Sequence, residues 1–369
     1  MKTSNLKKYL ALGLTVAGAA FTPSLHATET DVFIEGGSAS SSVIAKEVAA
    51  LFGTGTITTN GVVSGYVYRF SGTSTLPVFV TNSYNPLVID VNLANGAIAG
   101  LNNLISASPA SGDTNYLGQK PAITFVDSAT SPEAVGIDSV GNNIETDYLT
   151  YVVPLVYIKN TNSIDTAAIT NLTARQAVTL ETSTIKTTFF GGTSTNLVYF
   201  VGRNDEAAVR TEIDLAINNS KTIVTFTNLG NVPVQDGNPT DPGLPSASKV
   251  VSTVTALTNS IGTVAVQNIV SPLAPLNFEG VTYSVTNIIN GSYPLWGYEH
   301  YYFIPQGNNN GSYIPGAPQQ AVLDTLYAQV TNNVALQTSS VYSNLFVPAP
   351  WLKVKRTADG GPIIPLANY

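Results

Sequence analysis

The sequence predicts an α/β protein of two domains. Strand and helix signals alternate along the chain, a pattern typical of a sheet covered by helices and not of an all-β sandwich. A Gly/Ser turn joins an early strand to an early helix near the expected mature N-terminus. The chain that follows the expected leader has about 340 residues, a length that favours two domains.

The first 27 residues have the pattern of an export signal. Basic residues precede an apolar stretch, residues 9–21, that is too short to span a bilayer well. We expect cleavage after Ala27, with Ala19 as an earlier alternative. Residues 1–27 are therefore expected to be a signal peptide, and the mature protein is expected to be periplasmic or secreted.

Composition argues against several classes of function. The chain has no cysteine, so it has no disulfides, no thiolate chemistry and no lipid-modified cysteine, and we expect no membrane anchor. Removing the three lysines of the leader takes the formal net charge from −7 to −10. Because phosphate backbones are bound by stripes of Lys and Arg, we expect no nucleic acid partner.

The most informative segment is the turn that contains Gly36, Gly37 and Ser38. It follows a short apolar strand, 31–34, and opens a helix whose apolar residues have helical spacing. Those apolar residues are Ile44, Val48, Leu51 and Phe52. Two glycines permit a sharp turn, and the serines lie where a helix has unpaired N–H groups and a positive dipole end. Either an anion cradle or a plain serine-capped turn fits this pattern.

Two further strands run into polar turns. The strand 87–91 leads to a turn with Asn95 and Gly96, and the strand 122–126 leads to one with Asp127 and Ser128. Since ligands of open α/β sheets bind beyond the carboxyl ends of the strands, we expect these turns to lie near the first one.

A fourth polar turn lies in the middle of the chain. The strand 197–201 precedes Arg203, and a helix with apolar residues at 209, 213 and 217 follows. Turns from both halves of the chain could thus meet in one cleft.

Apolar periodicity and turn residues predict the secondary structure of the remaining segments. Pro154 interrupts a long apolar strand, 148–157, and indicates an edge or a crossing between domains. Thr173 is predicted to cap a short helix, and a proline-rich stretch, 231–248, is predicted to be a surface loop. Other predictions are a helix from 250, a strand at 262–267, a helix at 319–332 and an inserted hairpin or loop at 54–85.

Five short segments occur in the order found in one known family. They are residues 36–40, 125–129, 152–156, 171–173 and 287–295, the last (Asn-Ile-Ile-Asn-Gly-Ser-Tyr-Pro-Leu) being the most specific. On these segments the chain resembles the phosphate-binding proteins of ABC transporters, over residues 31–53 and 87–303. The resemblance implies a two-lobed type 2 periplasmic binding protein fold, with the ligand cleft between the lobes. It implies one lobe of residues 28–151 with 297–369, a second of 152–296, and hinges at 151–154 and 294–298.

The resemblance also implies a function and a site. The function is capture of a small anion, with phosphate the first candidate, by a monomer that serves an ABC permease. Serine hydroxyls and backbone N–H groups would donate to the anion, Arg203 would grip two oxygens, and Asp127 would accept the proton of a protonated phosphate and disfavour sulfate. The expected ligand-binding residues are Ser38, Ala39, Ser40, Asn95, Gly96, Asp127, Ser128, Arg203 and Arg210.

One departure from the family pattern leaves an alternative open. After Arg203 the family carries an Asp-Gly-Ser-Gly-Thr run, whereas this chain reads Asn-Asp-Glu-Ala-Ala-Val-Arg over 204–210. The glycines and hydroxyls are missing, and Glu206 would repel an anion. The alternative is a binding-fold relative without phosphate affinity that acts as a secreted surface or interaction protein.

Other readings of the chain have less support. Beyond the leader the only histidine is His300, which lies in an aromatic segment without a nucleophile-elbow motif, so we expect no enzyme, metal site or cofactor. The aromatic segment 293–303 could bind carbohydrate, but a strand packed between the lobes is favoured. Lys353, Lys355 and Arg356 are predicted to form a solvated basic face.

Overall fold

The computed structural model describes residues 30–52, 67–82, 86–93, 96–105, 123–126, 145–238, 241–303, 317–332 and 345–367. The helices are α1 (Ser41–Ala49), α2 (Pro77–Asn82), α3 (Ala97–Ile105), α4 (Ala174–Thr182), α5 (Ala208–Ala216), α6 (Ala247–Ala256), α7 (Val285–Ile289) and α8 (Ala317–Asn332).

The strands are β1 (Thr30–Gly36), β2 (Val67–Gly72), β3 (Leu87–Asn92), β4 (Ile123–Val126), β5 (Glu145–Asn160), β6 (Asn171–Leu172), β7 (Ile185–Lys186), β8 (Leu197–Val201), β9 (Phe226–Leu229), β10 (Val232–Gln235), β11 (Ser260–Ala265), β12 (Leu273–Pro275), β13 (Asn277–Phe278), β14 (Trp296–Phe303), β15 (Val347–Pro348), β16 (Val354–Arg356) and β17 (Ile363–Pro365).

Most strands join one mixed sheet in the order β2-β3-β1-β4-β14-β5-β11-β8-β7. The strand order divides the sheet into a first half, β2-β3-β1-β4, and a second half, β11-β8-β7, which β14 and β5 join. In the first half, β1 pairs in parallel with both β3 and β4, so the carboxyl ends of these three strands share one edge of the sheet. In the second half, β11 pairs in parallel with β8. The predicted α/β class is therefore confirmed, because parallel strands alternate with helices in both halves.

Two long strands carry the sheet from one half to the other. β14 pairs antiparallel with β4 at one end, and it pairs along its length with β5. Pro154 lies opposite Trp296, and from Leu155 onward β5 pairs with β11 instead. The proline thus lies where β5 changes partners, and a crossing between domains at this point remains a prediction.

The apolar core has two main clusters, one in each half. The first is built on Ile34, Ile89 and Leu323, and the second on Val156, Phe200 and Val264. Burial of such side chains stabilises each half by roughly 25 cal/mol per Å² of apolar surface. Ala39 and Val43, from the first half, pack in the second cluster and join the two halves.

The C-terminal segment also packs against the second cluster. Phe346, Val347, Leu352 and Val354 are buried there. The lobe boundaries expected from the sequence remain a prediction.

Local signals explain where several helices begin. Thr173 caps α4 in a full capping box: its hydroxyl accepts from the Gln176 N–H, and the Gln176 side chain accepts from the Thr173 N–H. Ser246 and Ser284 cap α6 and α7 in the simpler way. The predicted helix starts in the second half are therefore confirmed to within a few residues.

Two predictions differ from the structure. The stretch 231–248 is not all loop, since β10 pairs with β9 in a hairpin whose exposed Val232 and Val234 have the alternation of a strand. Arg356 is not solvated but 8% exposed, because its guanidinium stacks on the ring of Trp296. The predicted strand in the aromatic segment is confirmed, since every residue of β14 is buried.

No helix among the described residues combines the length and the apolar character needed to cross a membrane.

Candidate functional site

The turn after β1 forms one wall of the site. Gly37 precedes a short 3-10 helix, Ser38–Ser40, which continues directly into α1. Ser38 and Ala39 are both buried, at 7% and 3% exposure. The side chain of Ser40 lies outside the described part of the structure.

Glu35 lies at the carboxyl end of β1, directly behind this turn. Both of its carboxylate oxygens accept from the Asn103 amide, at 3.0 and 2.9 Å, and the residue is fully buried. The pair ties α3 to β1. The contact is made by the C-terminal part of α3, since Asn103 is the seventh of its nine residues.

A residue from the second half occupies the start of α3. The Ile98 N–H donates to the carbonyl oxygen of Glu206 at 3.2 Å. Gly96 has φ +106°, and a Cβ at that position would lie 2.9 Å from the same oxygen. Only glycine combines this backbone conformation with so close an approach. A backbone carbonyl therefore stands where an anion at this helix N-terminus would lie.

Gln267 makes a second bridge between the halves. It lies in a short 3-10 helix, Val266–Asn268, that follows β11. Its amide Nε2 donates to the Ser38 carbonyl oxygen, and its Oε1 accepts from the Ser42 hydroxyl at 2.7 Å. Sequence reasoning missed this residue, because a lone glutamine beyond a strand carries no motif.

Arg203 is buried, with 4% of its surface exposed, and its side chain binds the loop that precedes α6. Its Nε donates to the Leu244 carbonyl oxygen at 3.0 Å, and one terminal nitrogen donates to the Pro245 carbonyl oxygen at 3.1 Å. The backbone joins the same contact, since the Asn204 N–H donates to the Leu244 oxygen. Two of the five guanidinium donors are thus directed at backbone carbonyls.

Arg210 lies in the first turn of α5. Its Nη1 donates to the Pro242 carbonyl oxygen at 3.0 Å. The guanidinium also lies 3.5 Å from an Asp214 oxygen and 3.7 Å from an Asp241 oxygen. Arg210 therefore connects α5 with the loop before α6.

Behind Arg210 lies a buried cluster of carboxyl groups. The Tyr157 hydroxyl donates to Glu181 at 2.6 Å, and the Asn219 amide donates to both Glu181 and Asp214, at 3.0 and 3.1 Å. Burial, together with the charge of Asp214, raises the pKa of Glu181 to about 8. Burial also raises the pKa of Asp214, although its hydrogen bond with Glu181 and the charge of Arg210 oppose that shift. At neutral pH, Glu181 therefore carries a proton that it can donate to Asp214.

The cavity between these walls is very small. It is lined by Gly37, Ser38, Ala39, Gly96, Ala97, Arg203, Ala207, Ala208 and Val209, and its volume is about 10 Å³. That is room for about one water and not for a five-atom oxyanion.

Three helix N-termini nevertheless converge on this cavity. They belong to the 3-10 helix before α1, to α3 and to α5, whose N-cap residue Ala207 provides no side-chain hydrogen bond. A helix N-terminus offers N–H donors and a positive dipole end. The arrangement can stabilise negative charge once the walls separate.

The structure brings together four of the expected site residues, since Ser38, Ala39, Gly96 and Arg203 line the cavity. Ser40 is the last residue of the 3-10 helix that begins at Ser38. Arg210 directly follows the lining residue Val209 on α5, and its guanidinium contacts the loop before α6 instead. Asn95, Asp127 and Ser128 lie outside the described residues. The last two follow β4, which ends beside the Ser38 turn because Gly36 pairs with Phe125.

His300 lies on β14 and does not line this cavity. His300 Nε2 lies 3.1 Å from Asp359 Oδ2, and its ring stacks on Tyr302. Within the described part of the chain, no group of three or more His, Asp or Glu side chains is arranged to hold a metal ion.

Solved structures share this fold. A putative phosphate ABC transporter substrate-binding protein from Clostridium perfringens, with bound phosphate, is 13% identical, with a TM-score of 0.54 over 87% of this chain and 100% of that one. A phosphate-binding protein from Stenotrophomonas maltophilia is 13% identical, with a TM-score of 0.51 over 86% and 90% of the two chains. No protein-family model matches the chain, and no curated protein matches it in sequence.

The chain thus has the two-lobed α/β fold that the sequence predicts. The two solved structures just described are named as phosphate-binding ones, and the resemblance stated from the sequence is confirmed at the level of the fold.

Proposed function

We propose that this protein is an exported solute-binding protein that captures a small anion, with phosphate the first candidate, between its two lobes. The observation that carries the proposal is the convergence of three helix N-termini on one cavity. Such termini favour negative charge and offer donors without a basic side chain. The similarity in fold to phosphate-binding proteins supports the same choice.

Capture requires the lobes to separate first, because about 10 Å³ admits no phosphate. Separation would break the hydrogen bonds of Glu206 with Ile98 and of Gln267 with Ser38 and Ser42. A phosphate oxygen would then take the place of the Glu206 carbonyl at the start of α3. The ligand thus competes with a contact within the protein, and this competition lowers its apparent affinity.

The site residues of this proposal combine both halves. Ser38, Ala39 and Ser40 supply backbone and hydroxyl donors, with Asn95, Gly96 and Ser128 beside them. Arg203 or Arg210 supplies the cation, and Asp127 accepts the proton of a protonated phosphate. We further propose removal of residues 1–27 on export, a periplasmic or secreted location, and delivery to an ABC permease by a monomer.

A second candidate function is that of a secreted interaction protein that keeps the fold but binds no phosphate. A specific observation favours it: Arg203 is directed at the carbonyls of Leu244 and Pro245, while the Glu206 carbonyl occupies the start of α3. In this reading the contacts within the protein replace the ligand permanently.

Isothermal titration of residues 28–369 with phosphate at neutral pH, with sulfate as the control ion, separates the two candidates. The first predicts saturable heat with phosphate and little with sulfate. Phosphate that produces neither heat nor a thermal shift at millimolar concentration contradicts it and favours the second candidate.

Two variants locate the site. Ala207→Asp places a carboxylate on the cavity wall, where it should abolish phosphate binding, while Asp is a favoured N-cap and should preserve α5. Ser284→Asp is the matched control, since it makes the same kind of change at the N-cap of α7, outside the cavity. If Ala207→Asp binds phosphate as the unmodified chain does, the ligand lies elsewhere.

A further inference from the structure

A second cavity, of about 480 Å³, lies apart from the cleft. It is bounded by the C-terminal end of α5, the turn after α7 and the hairpin of β16 and β17. Its lining residues include Leu215, Pro294, Arg356, Gly360, Pro362 and Ile363. Small-molecule sites in proteins commonly have volumes of about 300–1,000 Å³ and mainly apolar walls. This cavity has the volume and the walls of such a site.

Arg356 is the cation of this cavity. It is 8% exposed, and its guanidinium carbon lies 4.3 Å from the centre of the Trp296 ring. One terminal nitrogen donates to the Gly361 carbonyl oxygen at 2.5 Å, and the other donates to the Pro294 carbonyl oxygen. Among the residues that the structure describes, its Nε has no hydrogen-bond partner. These contacts fix the guanidinium in place but use only two of its five donors.

No carboxylate among the described residues forms an ion pair with Arg356. The nearby acids have donors of their own: Glu212 accepts from the Gly360 N–H at 3.1 Å, and Asp359 lies 3.1 Å from His300 Nε2. The charges of both acids raise the pKa of Arg356, yet burial outweighs them and lowers it. A buried cation without a contacting anion is costly, and an acceptor in the cavity would offset that cost.

The opposite wall of the cavity is apolar and well fixed. Leu215 is 45% exposed at the end of α5. Gly360, with φ +62°, approaches it so closely that a Cβ there would lie 2.1 Å from the Leu215 Cβ. The tip of the hairpin therefore rests directly on α5, and Leu215 and Ile363 leave apolar surface beside the guanidinium.

We infer that this cavity is a second ligand site, which takes a small organic carboxylate with an apolar body. The carboxylate accepts from the remaining N–H groups of Arg356 in the planar geometry that guanidinium favours. The apolar body covers Leu215, Pro294 and Ile363. The site shares no lining residue with the cleft, so the inference does not depend on phosphate capture.

The test uses 4-fluorophenylacetate as the probe and 4-fluorophenylacetamide as its uncharged analogue, each titrated with residues 28–369 and followed by ¹⁹F NMR. The acid should bind saturably, and the amide should bind at least about tenfold more weakly, because it lacks the charge-assisted hydrogen bonds. Equal affinity for acid and amide, or no saturable binding of the acid at millimolar concentration, would overturn the inference.

Two variants locate the probe. Arg356→Gln should weaken binding of the acid by about tenfold or more, whereas Lys355→Gln, at an exposed neighbouring position on β16, should leave it unchanged. Since Arg356 also fastens the hairpin, Leu215→Glu provides a second test at a partly exposed wall position: its carboxylate should repel the acid but not the amide. Acid binding that survives Leu215→Glu overturns the inference even if Arg356→Gln does not fold.

Discussion

The Ile98 N–H donates to the Glu206 carbonyl oxygen at 3.2 Å, so a loop of the second half caps the first turn of a helix in the first half. Helix N-termini need acceptors for their first N–H groups, and these usually come from a side chain or from a ligand. Here the acceptor is a backbone carbonyl more than a hundred residues further along the chain. In the proposed capture of a ligand, closure of the cleft would therefore also supply the acceptor for the first turn of α3.

Replacing Gly96 by alanine should loosen this contact. The new Cβ would lie 2.9 Å from the Glu206 oxygen, and φ +106° is strained for any residue with a Cβ. We expect a loss of about 1–3 kcal/mol in the free energy of unfolding, measured by denaturant titration. Gly237→Ala is the matched control, because a Cβ at 237 meets no atom within 4 Å. Equal stability of the two variants would show that the Gly96 contact is not formed in solution.

Gln267→Ala tests the second bridge between the halves. It removes the hydrogen bonds to the Ser38 carbonyl and the Ser42 hydroxyl, at a cost of about 1 kcal/mol each. Small-angle X-ray scattering of the variant without ligand should give a larger radius of gyration than that of the unmodified chain. Gln235→Ala, at an exposed position on β10, should leave the radius unchanged. An unchanged radius in both variants would mean that the other contacts hold the cleft closed alone.

Arg203→Ala should destabilise the fold whether or not an anion is present. It leaves the Leu244 and Pro245 carbonyls without their guanidinium donors and opens a gap beneath the loop. We expect a loss of about 2–4 kcal/mol, read from chemical denaturation. Arg175→Ala, at an exposed position on α4, should change stability by less than about 0.5 kcal/mol. A stable Arg203→Ala protein would argue that the arginine serves a ligand alone.

The stability of the protein should fall as pH rises through the neutral range, in part because of Glu181. The pKa of the Glu181 carboxyl is about 4.5 in the unfolded chain and about 8 in the folded chain, so the folded state holds a proton that the unfolded state has lost. Stability from this group is therefore complete below about pH 4.5 and is lost progressively up to about pH 8.

Glu181→Gln cannot ionise and should remove this part of the pH dependence. Relative to the unmodified chain, the variant should gain about 1 kcal/mol or more between pH 5.5 and pH 8.5, as measured by denaturant titration at each pH. Glu279→Gln, at an exposed position, serves as the control. Parallel pH profiles for the Glu181 variant and the unmodified chain would contradict the raised pKa.

Local signals were sufficient for most of the fold. Apolar periodicity predicted the strand before Ser38 and the helix after it, and Ile44 and Val48 are indeed fully buried. Thr173 was recognised as a cap because capping depends on residues three apart. Pro154 indicates an edge or a crossing between domains because a proline cannot donate in a ladder, and in the structure it lies where β5 changes partners. Each of these inferences uses contacts that are close in sequence or a single residue's geometry.

The site could be predicted only in part, because its decisive contacts are distant in sequence. Ser38, Gly96 and Arg203 do meet at one cavity. Nothing local indicates that Gln267 reaches Ser38, or that the Arg203 guanidinium is directed at the carbonyls beyond Gly243. Arg356 was expected in solvent for the same reason: its partner Trp296 lies sixty residues earlier in the chain.

The antiparallel ribbon of β5 and β14 sets the mechanics of any opening. Since the ladder opposite Pro154 and Trp296 is hydrogen bonded on both sides of the crossing, the halves cannot swivel on slack linkers. Opening must instead twist this pair of hydrogen-bonded strands, and the strands resist the twist more strongly as the opening angle grows. The protein should therefore open by a small angle, close quickly and return to the same closed geometry each time.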